Sequence, residues 1–366
     1  MIVLYILLAI VILLFMILVH ELGHYIIGKI LKFKVNEFSI GFGPAIFSKT
    51  SKKTGEKFSL RAFPLGGYCA FDGEDGDGTE DSPTAFNKQK PWKRILVLLG
   101  GVTMNFLTAI IFSWVLLCSI GYDVPKIVSV NSAYANPFQP GDVITKIDDK
   151  KIDFAFGGNY VSMVNAHRSK AKTYYTENGI DAEKYTFKMT VKRNRDILGL
   201  TITVYPEKVT EGEEEVIKTF IGLENGEGEN PHTRAYRYGA WEGFCRSFEM
   251  AFGFAWVVLK SLWGLLTFQI PIKQMTGTIG TITTIASFAS QSLSYLLIFI
   301  PLIAANLAVF NLLPFPALDG SHIVFVFIEW IRGKPVNRKV ENMIHFIGLI
   351  VLLAFVLIVD ILHFVL

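Results

Sequence analysis

The chain has 366 residues, 51% of them hydrophobic and only 18% charged, with a net charge of +3. A mean hydropathy of +0.40 excludes an ordinary soluble globular protein, and so small a basic surplus gives no footprint for nucleic acid. Cys69, Cys118 and Cys245 are far apart and form no C-x-x-C pair, so neither a disulfide framework nor a thiolate metal site is indicated, and they read as packing residues.

In chain order, the first element is an apolar run from Ile2 to Val19 that continues to about Ile30. It exceeds the roughly 20 residues needed to cross a bilayer core. It lacks the basic n-region and small-residue cleavage site of a secretory signal, so residues 1–30 are expected to be a retained first span. Its end carries VHELGHYIIGK. Ionisable groups at mid-bilayer cost roughly 2.5 to 3.5 kcal/mol each on insertion scales, so their presence argues for function. On a helix His20 and His24 share one face and can aim ring nitrogens at a common ion, with Glu21 beside it. This is the H-E-x-x-H geometry. Zinc held by two such imidazoles takes a third protein ligand and keeps one position for water, whose pKa falls to about 7; Glu21 can then serve as general base. The competing reading is a pair of helix-end histidines touching lipid headgroups.

Residues 31–94 concentrate Lys and Arg, which the positive-inside tendency places in the cytoplasm. Within them FSIGFGPAIFSK and EKFSLRAFPLGGYCAF are rich in aromatic and β-branched residues and punctuated by Gly and Pro, the signature of two hairpins. A small sheet dipping into the inner leaflet is expected, whose edge near Leu65, Gly66 and Gly67 could pair with an extended substrate backbone. A plain cytoplasmic hairpin is the alternative. The acidic stretch FDGEDGDGTED fails the EF-hand spacing, because Glu80 stands where glycine is needed, and reads as a solvated loop.

Residues 95–120 form the second expected span. Its Asn105 could hold a substrate carbonyl or steady an oxyanion, or could simply join helices, and Gly100 and Gly101 would let helices approach closely. From 121 to 208 the apolar runs shorten to strand length, as in KIVSV, DVITKID, FKMTVKR and LTITVYP, so a soluble β-rich domain with a helix near Ala182 is expected. Residues 209–292 read as an acidic linker followed by an amphipathic helix, Phe244 to Ile270, with Trp241, Trp256 and Trp263 suited to an interface. If that helix crossed alone, the second basic loop would land outside. An interfacial helix, or a re-entrant pair using Gly277 to Ser290, keeps the parity.

The third span, 293–322, ends in NLLPFPALDG, where Pro314 and Pro316 break the helix. Because this span runs inward like the first, Asp319 is expected at the depth of the histidines as the third metal ligand, with His322 as a weaker rival. Asn311 is a second candidate amide for the substrate or oxyanion. Residues 323–343, with Arg332, Lys334, Arg338 and Lys339 inside, form a cytoplasmic loop, and 344–366 the last span. The expected fold is therefore a polytopic α-helical membrane protein of about four transmembrane helices, with a membrane-associated hairpin sheet, one extracytoplasmic β-rich domain and the N-terminus outside.

HELGH near the start and NLLPFPALDG near the end, with GFGP, PLGGY, FNKQKPWKRILVLLGGVTMNF and PGDVI in order between them, resemble the site-2 proteases, specifically the bacterial branch containing the regulator of sigma-E protease. The likeness covers nearly the whole chain. It implies His20, His24 and Asp319 as zinc ligands, Glu21 as general base, and cleavage of the transmembrane segments of single-pass proteins, such as an anti-sigma factor or remnant signal peptides, in a bacterial inner membrane. GGVTMN, where relatives usually place Gly-Pro ahead of the Asn, and DGSH, in place of D-G-G, depart from the family pattern without removing a ligand. SAYANPFQPGDVITKIDDKKI is similar to a PDZ domain of bacterial proteases, which implies capture of extracytoplasmic peptide or protein termini, although Asp153 to Tyr185 is longer than a compact PDZ needs. A rival of another class is a non-catalytic membrane PDZ adaptor with a structural metal; a metal-ion carrier is a third.

Overall fold

The computed structural model describes residues 2–74, 82, 84–127, 129–152, 158–194, 196–211, 214–223, 234–269 and 277–365. Most of the acidic stretch between Asp72 and Asp81 lies outside them. The chain runs α1 (Ile2–Ile30), β1 (Val35–Thr50), β2 (Lys57–Phe71), α2 (Pro91–Ser119), β3 (Tyr122–Val124), β4 (Val143–Ile147), β5 (Lys150–Lys151), α3 (Gly158–Asn178), β6 (Thr186–Arg193) and β7 (Asp196–Thr203). It continues with β8 (Tyr205–Glu211), β9 (Glu214–Phe220), β10 (Arg234–Tyr236), α4 (Ala240–Leu266), α5 (Thr278–Gln291), α6 (Leu296–Leu312), α7 (Asp319–Arg332) and α8 (Arg338–Val365). Two compact units result, one of residues 1–115 with 254–366, the other of 116–253.

Five helical stretches among the described residues are long and apolar enough to cross a membrane: Val3–Ile30, Pro91–Ser119, Ala240–Leu266, Leu293–Leu312 and Arg338–Leu362. Together with the sheets they make this a polytopic membrane protein. The stretch Phe244 to Ile270, expected as an interfacial helix, falls largely in the continuous α4, one of these five, whose exposed Trp241, Trp256 and Trp263 lie along its length. The expected loop 323–343 is mostly helix, because α7 runs to Arg332 and stops at Gly333 in the left-handed region (φ 64°), and α8 begins at Arg338.

In the first unit, β1 and β2 pair antiparallel, and both strands are long and bent. Val35–Ile40 is flanked on one side by Gly67–Phe71 and on the other by Lys57–Leu60, which in turn pairs with Phe47–Thr50. Two strands thus build a four-ribbon sheet, turned at Gly41 and Gly43, whose φ of 85° and 84° suit glycine. Glu37 stitches it by accepting from Ser59 Oγ (2.5 Å) and Arg61 Nη2 (2.7 Å). Burial alone would raise the Glu37 carboxyl, but hydrogen bonds from Ser59, Arg61 and Tyr68 outweigh it and hold it at about 2. Buried Arg94 of α2 reaches buried Glu329 of α7 at 2.5 Å, and Arg338 joins the same carboxylate at 3.0 Å, which locks α7 in place. Asp360, buried on α8, accepts from the amides of Ile279 (3.2 Å) and Gly280 (3.1 Å) at the start of α5, whose N-cap, Gly277, contributes no side-chain cap. The α5 helix in turn packs on α1.

The second unit has a four-stranded sheet in the order β5-β4-β6-β7 and a hairpin of β8 with β9. Phe187, Met189 and Val191 of β6 alternate inward and meet Tyr160, Val164, Ala171 and Tyr175, one face of α3. The helix expected near Ala182 therefore lies earlier. The linker expected from residue 209 holds strands as far as Phe220: Val209 pairs with Val216, and Thr219 is buried under Arg168. In the PGDVI stretch, Asp142 is buried and gripped by Arg193 Nε and Nη2, both at 2.8 Å.

Candidate metal centre

The end of α1 brings two imidazoles to one face, as the four-residue spacing requires. His20 and His24 are both buried, their rings cross at 86°, and their Nε2 atoms lie 3.1 Å apart. Room for them comes from α2. A Cβ on Gly101 would lie 2.5 Å from His24 Nε2 and 2.6 Å from His20 Cε1, and one on Gly23 would lie 2.2 Å from the Gly100 carbonyl oxygen. The Gly100–Gly101 pair thus permits the close approach expected of it and also leaves the space the rings fill.

Asp319 opens α7 after the proline break. Its Oδ2 lies 3.0 Å from His20 Nε2 and 3.3 Å from His24 Nε2, so three ligand atoms form a nearly equilateral triangle. Edges of about 3.3 Å are what a tetrahedron with ligand bonds near 2.0 to 2.1 Å produces. The second ring nitrogens are also engaged. His24 Nδ1 donates to the Val97 carbonyl at 2.9 Å, so its Nε2 bears a lone pair. His20 Nδ1 faces the side-chain amide of Asn105 at 3.2 Å. The amide oxygen of Asn105 otherwise lacks a hydrogen-bond partner; turned to the ring, it accepts the Nδ1 proton and frees His20 Nε2 as well. Three lone-pair donors then point at one another, and buried Asp319 Oδ2 has no hydrogen-bond donor among the described residues. Such an arrangement is repulsive without a cation between the three atoms and fits zinc with it.

Glu21 leaves the helix beside this triangle, where its carboxylate faces the backbone N–H of Cys69 in β2. A Cβ on Gly67 would lie 3.4 Å from Glu21 Cγ. The sheet edge formed by Gly67–Phe71 is therefore the one nearest the carboxylate. Gly66 has φ 120°, and its α-carbon backs onto the Phe42 ring, where a Cβ would come within 2.3 Å; Leu65 shares the strand, and its side chain lies outside the described residues. Asn311 is half-buried in the last turn of α6. Asn105, expected at the substrate, instead stands against His20. The rival ligand His322 joins a separate group with Glu341 and His345. Sequence reasoning did not find the Val97 carbonyl, the Cys69 amide or the cradle at Gly101; only the Gly-Gly pair hinted at the last.

The family model of Peptidase family M50 matches residues 8–355. The chain belongs to this family. It is similar to proteins named "Putative zinc metalloprotease" in Fusobacterium nucleatum (30% identical, covering 97% of both chains), in a Nostoc species (31%, covering 94% of this chain and 92% of that one) and in Clostridium perfringens (32%, covering 94% of each). The protein is a zinc metalloprotease of the membrane, and its apolar helices make it multi-pass.

Proposed function

We propose that this protease cuts the transmembrane segments of single-pass proteins on the cytoplasmic side of the bilayer, with His20, His24 and Asp319 as zinc ligands and Glu21 as general base. The observation that carries the reading is the juxtaposition of the donor triangle, the Glu21 carboxylate and the Gly67–Phe71 edge. When bound, the ion supplies Lewis acidity that polarises a carbonyl and acidifies water. Glu21, facing the Cys69 amide, takes the proton of the attacking water and delivers it to the leaving amine. Asn105 orients His20, and Asn311 is the remaining candidate donor toward the substrate carbonyl. A helical substrate hides its amides, so a stretch of it must be held extended; Leu65, Gly66 and Gly67, at the end of the edge ribbon, offer main-chain partners without bulky side chains at the two glycines.

The positive-inside distribution puts 31–94 and the α7–α8 junction in the cytoplasm of a bacterial inner membrane and residues 121–208 outside. With four crossings this parity requires α4 to lie along or dip into the membrane. The outer β-rich unit, read as PDZ-like, would screen substrates by their extracytoplasmic termini, and the substrates would be those of regulated intramembrane proteolysis. An adaptor with a structural metal would leave Glu21 idle.

The test is purified wild type and Glu21→Gln in liposomes with a tagged single-span substrate. The variant keeps one zinc per chain and loses cleavage by roughly 10²- to 10⁴-fold. Equal cleavage by both proteins, or no cleavage by wild type of any single-span substrate alongside cleavage of soluble ones, overturns the reading.

A further inference from the structure

The turn that delivers Asp319 is strained and is held from outside. Between α6 and α7 the chain passes Pro314 and Pro316 and then Ala317, which sits in the left-handed region with φ 82°. No glycine relieves it there, and an alanine in that region persists only when its surroundings impose it. On one side, Gly320 presses so closely on the end of α6 that a Cβ would lie 2.3 Å from the Leu312 and Leu313 carbonyl oxygens. On the other side stands α8. A Cβ on its Gly348 would come within 2.3 Å of Pro316 Cβ, so the proline rests directly on the helix backbone. One turn away, His345 Nδ1 accepts the Ala317 backbone N–H at 3.1 Å, and Ser321 Oγ lies 3.4 Å from the same nitrogen.

His345 fits this task and little else. Its ring stacks on His322 at 3.8 Å and 8°, so the ring lone pairs lie in nearly parallel planes and do not converge on one point. With Nδ1 accepting, the proton sits on Nε2, which is buried without a hydrogen-bond partner among the described residues. A buried N–H left unsatisfied disfavours the ring as mere filling, whereas its other nitrogen satisfies the amide of the strained residue.

We propose that His345 is a positioning residue for the zinc centre: by accepting the Ala317 amide it fixes the turn two residues ahead of Asp319 and so sets the carboxylate at the third corner of the donor triangle. This rests on the assignment of Asp319 as a zinc ligand.

The two amide variants separate this role from packing. In His345→Asn the side-chain oxygen occupies the place of Nδ1 and can accept the Ala317 amide; in His345→Gln the amide sits at the level of Nε2 and cannot. Zinc affinity by competition with a chromophoric chelator, kcat and KM on a single-span substrate, and thermal unfolding are measured for wild type, H345N, H345Q and D319N. H345Q is expected to lose about tenfold or more in zinc affinity and in kcat with KM unchanged, in the range seen when outer groups of metal sites are removed. H345N is expected to stay within about twofold of wild type on the same scale. Should H345Q retain wild-type zinc affinity, or H345N fall as far as H345Q, His345 is only packing and the inference is overturned while D319N still loses zinc. A D319N protein that holds zinc like wild type removes the ligand assignment itself, and the inference with it. If H345Q is too unstable to purify, Gly348→Ala, which displaces Pro316 by contact, takes its place: the same loss of zinc affinity with KM unchanged supports the inference, and wild-type affinity overturns it.

Discussion

Among the described residues of the membrane unit, two groups of histidines and a carboxylate each bring three candidate ligand atoms within 4.8 Å of one another. By composition they are equivalents. In one, His20 and His24 cross at 86°, their outer nitrogens are tied to Val97 and Asn105, and their inner nitrogens lie 3.0 and 3.3 Å from Asp319 Oδ2. In the other, His322 and His345 are parallel, one nitrogen is spent on a backbone amide, and Glu341 is already bound to Arg338 at 2.5 Å. The contrast teaches that a metal site is recognised by acceptors left facing each other, not by a count of ligand types.

The strongest way to break that contrast is to remove ligands from each group. His20→Ala and Asp319→Asn are expected to abolish stoichiometric zinc and all proteolysis, whereas His322→Ala and Glu341→Gln keep one zinc per chain by elemental analysis. Two zinc ions in the wild type, with one lost from the second pair of variants, would make the clusters equivalent after all. A subtler intrusion is Gly101→Ala, whose new Cβ would press on both rings. A drop of roughly 10- to 100-fold in zinc affinity is expected, with the helical circular dichroism unchanged; full affinity would show that the cradle has slack.

The smallest effect comes from a carboxylate ringed by donors instead. Glu37 is held at about 2, below its ordinary value of 4.5. The stabilisation it lends the sheet is complete above about pH 4.5 and disappears as pH falls through about 2. Melting temperatures of wild type and Glu37→Gln should differ by an amount worth on the order of 1 kcal/mol near neutrality and converge below pH 2. A gap that persists at pH 2 would assign the effect to shape instead of charge.

The meeting of His20, His24 and Asp319 was legible because the proposed chemistry constrains such residues strongly: imidazoles at i and i+4 on an apolar helix have few other uses, and a proline-broken span running the same way can bring Asp319 to their level. What escaped depends on pairs distant in sequence. Asn105 reads the same whether it meets a substrate or His20, and nothing in LVLLGG says that the Val97 carbonyl faces a ring. Glu207 to Phe220 was masked by its acidity, although Val209, Val216 and Ile217 carry strand character. The α4 stretch is ambiguous for a physical reason: even its most apolar part is the least hydrophobic of the five long helices, because Glu249 and Lys260 lie within it.

Asp360 has a consequence for how the chain must be made. An acidic side chain near the tail of the last helix neutralises the exposed amides where α5 begins, and α5 leans on the helix that carries both histidines. A chain terminated just short of Asp360 would therefore leave the Ile279 and Gly280 amides without this acceptor, and the helix that braces the histidine-bearing α1 would lose its anchor.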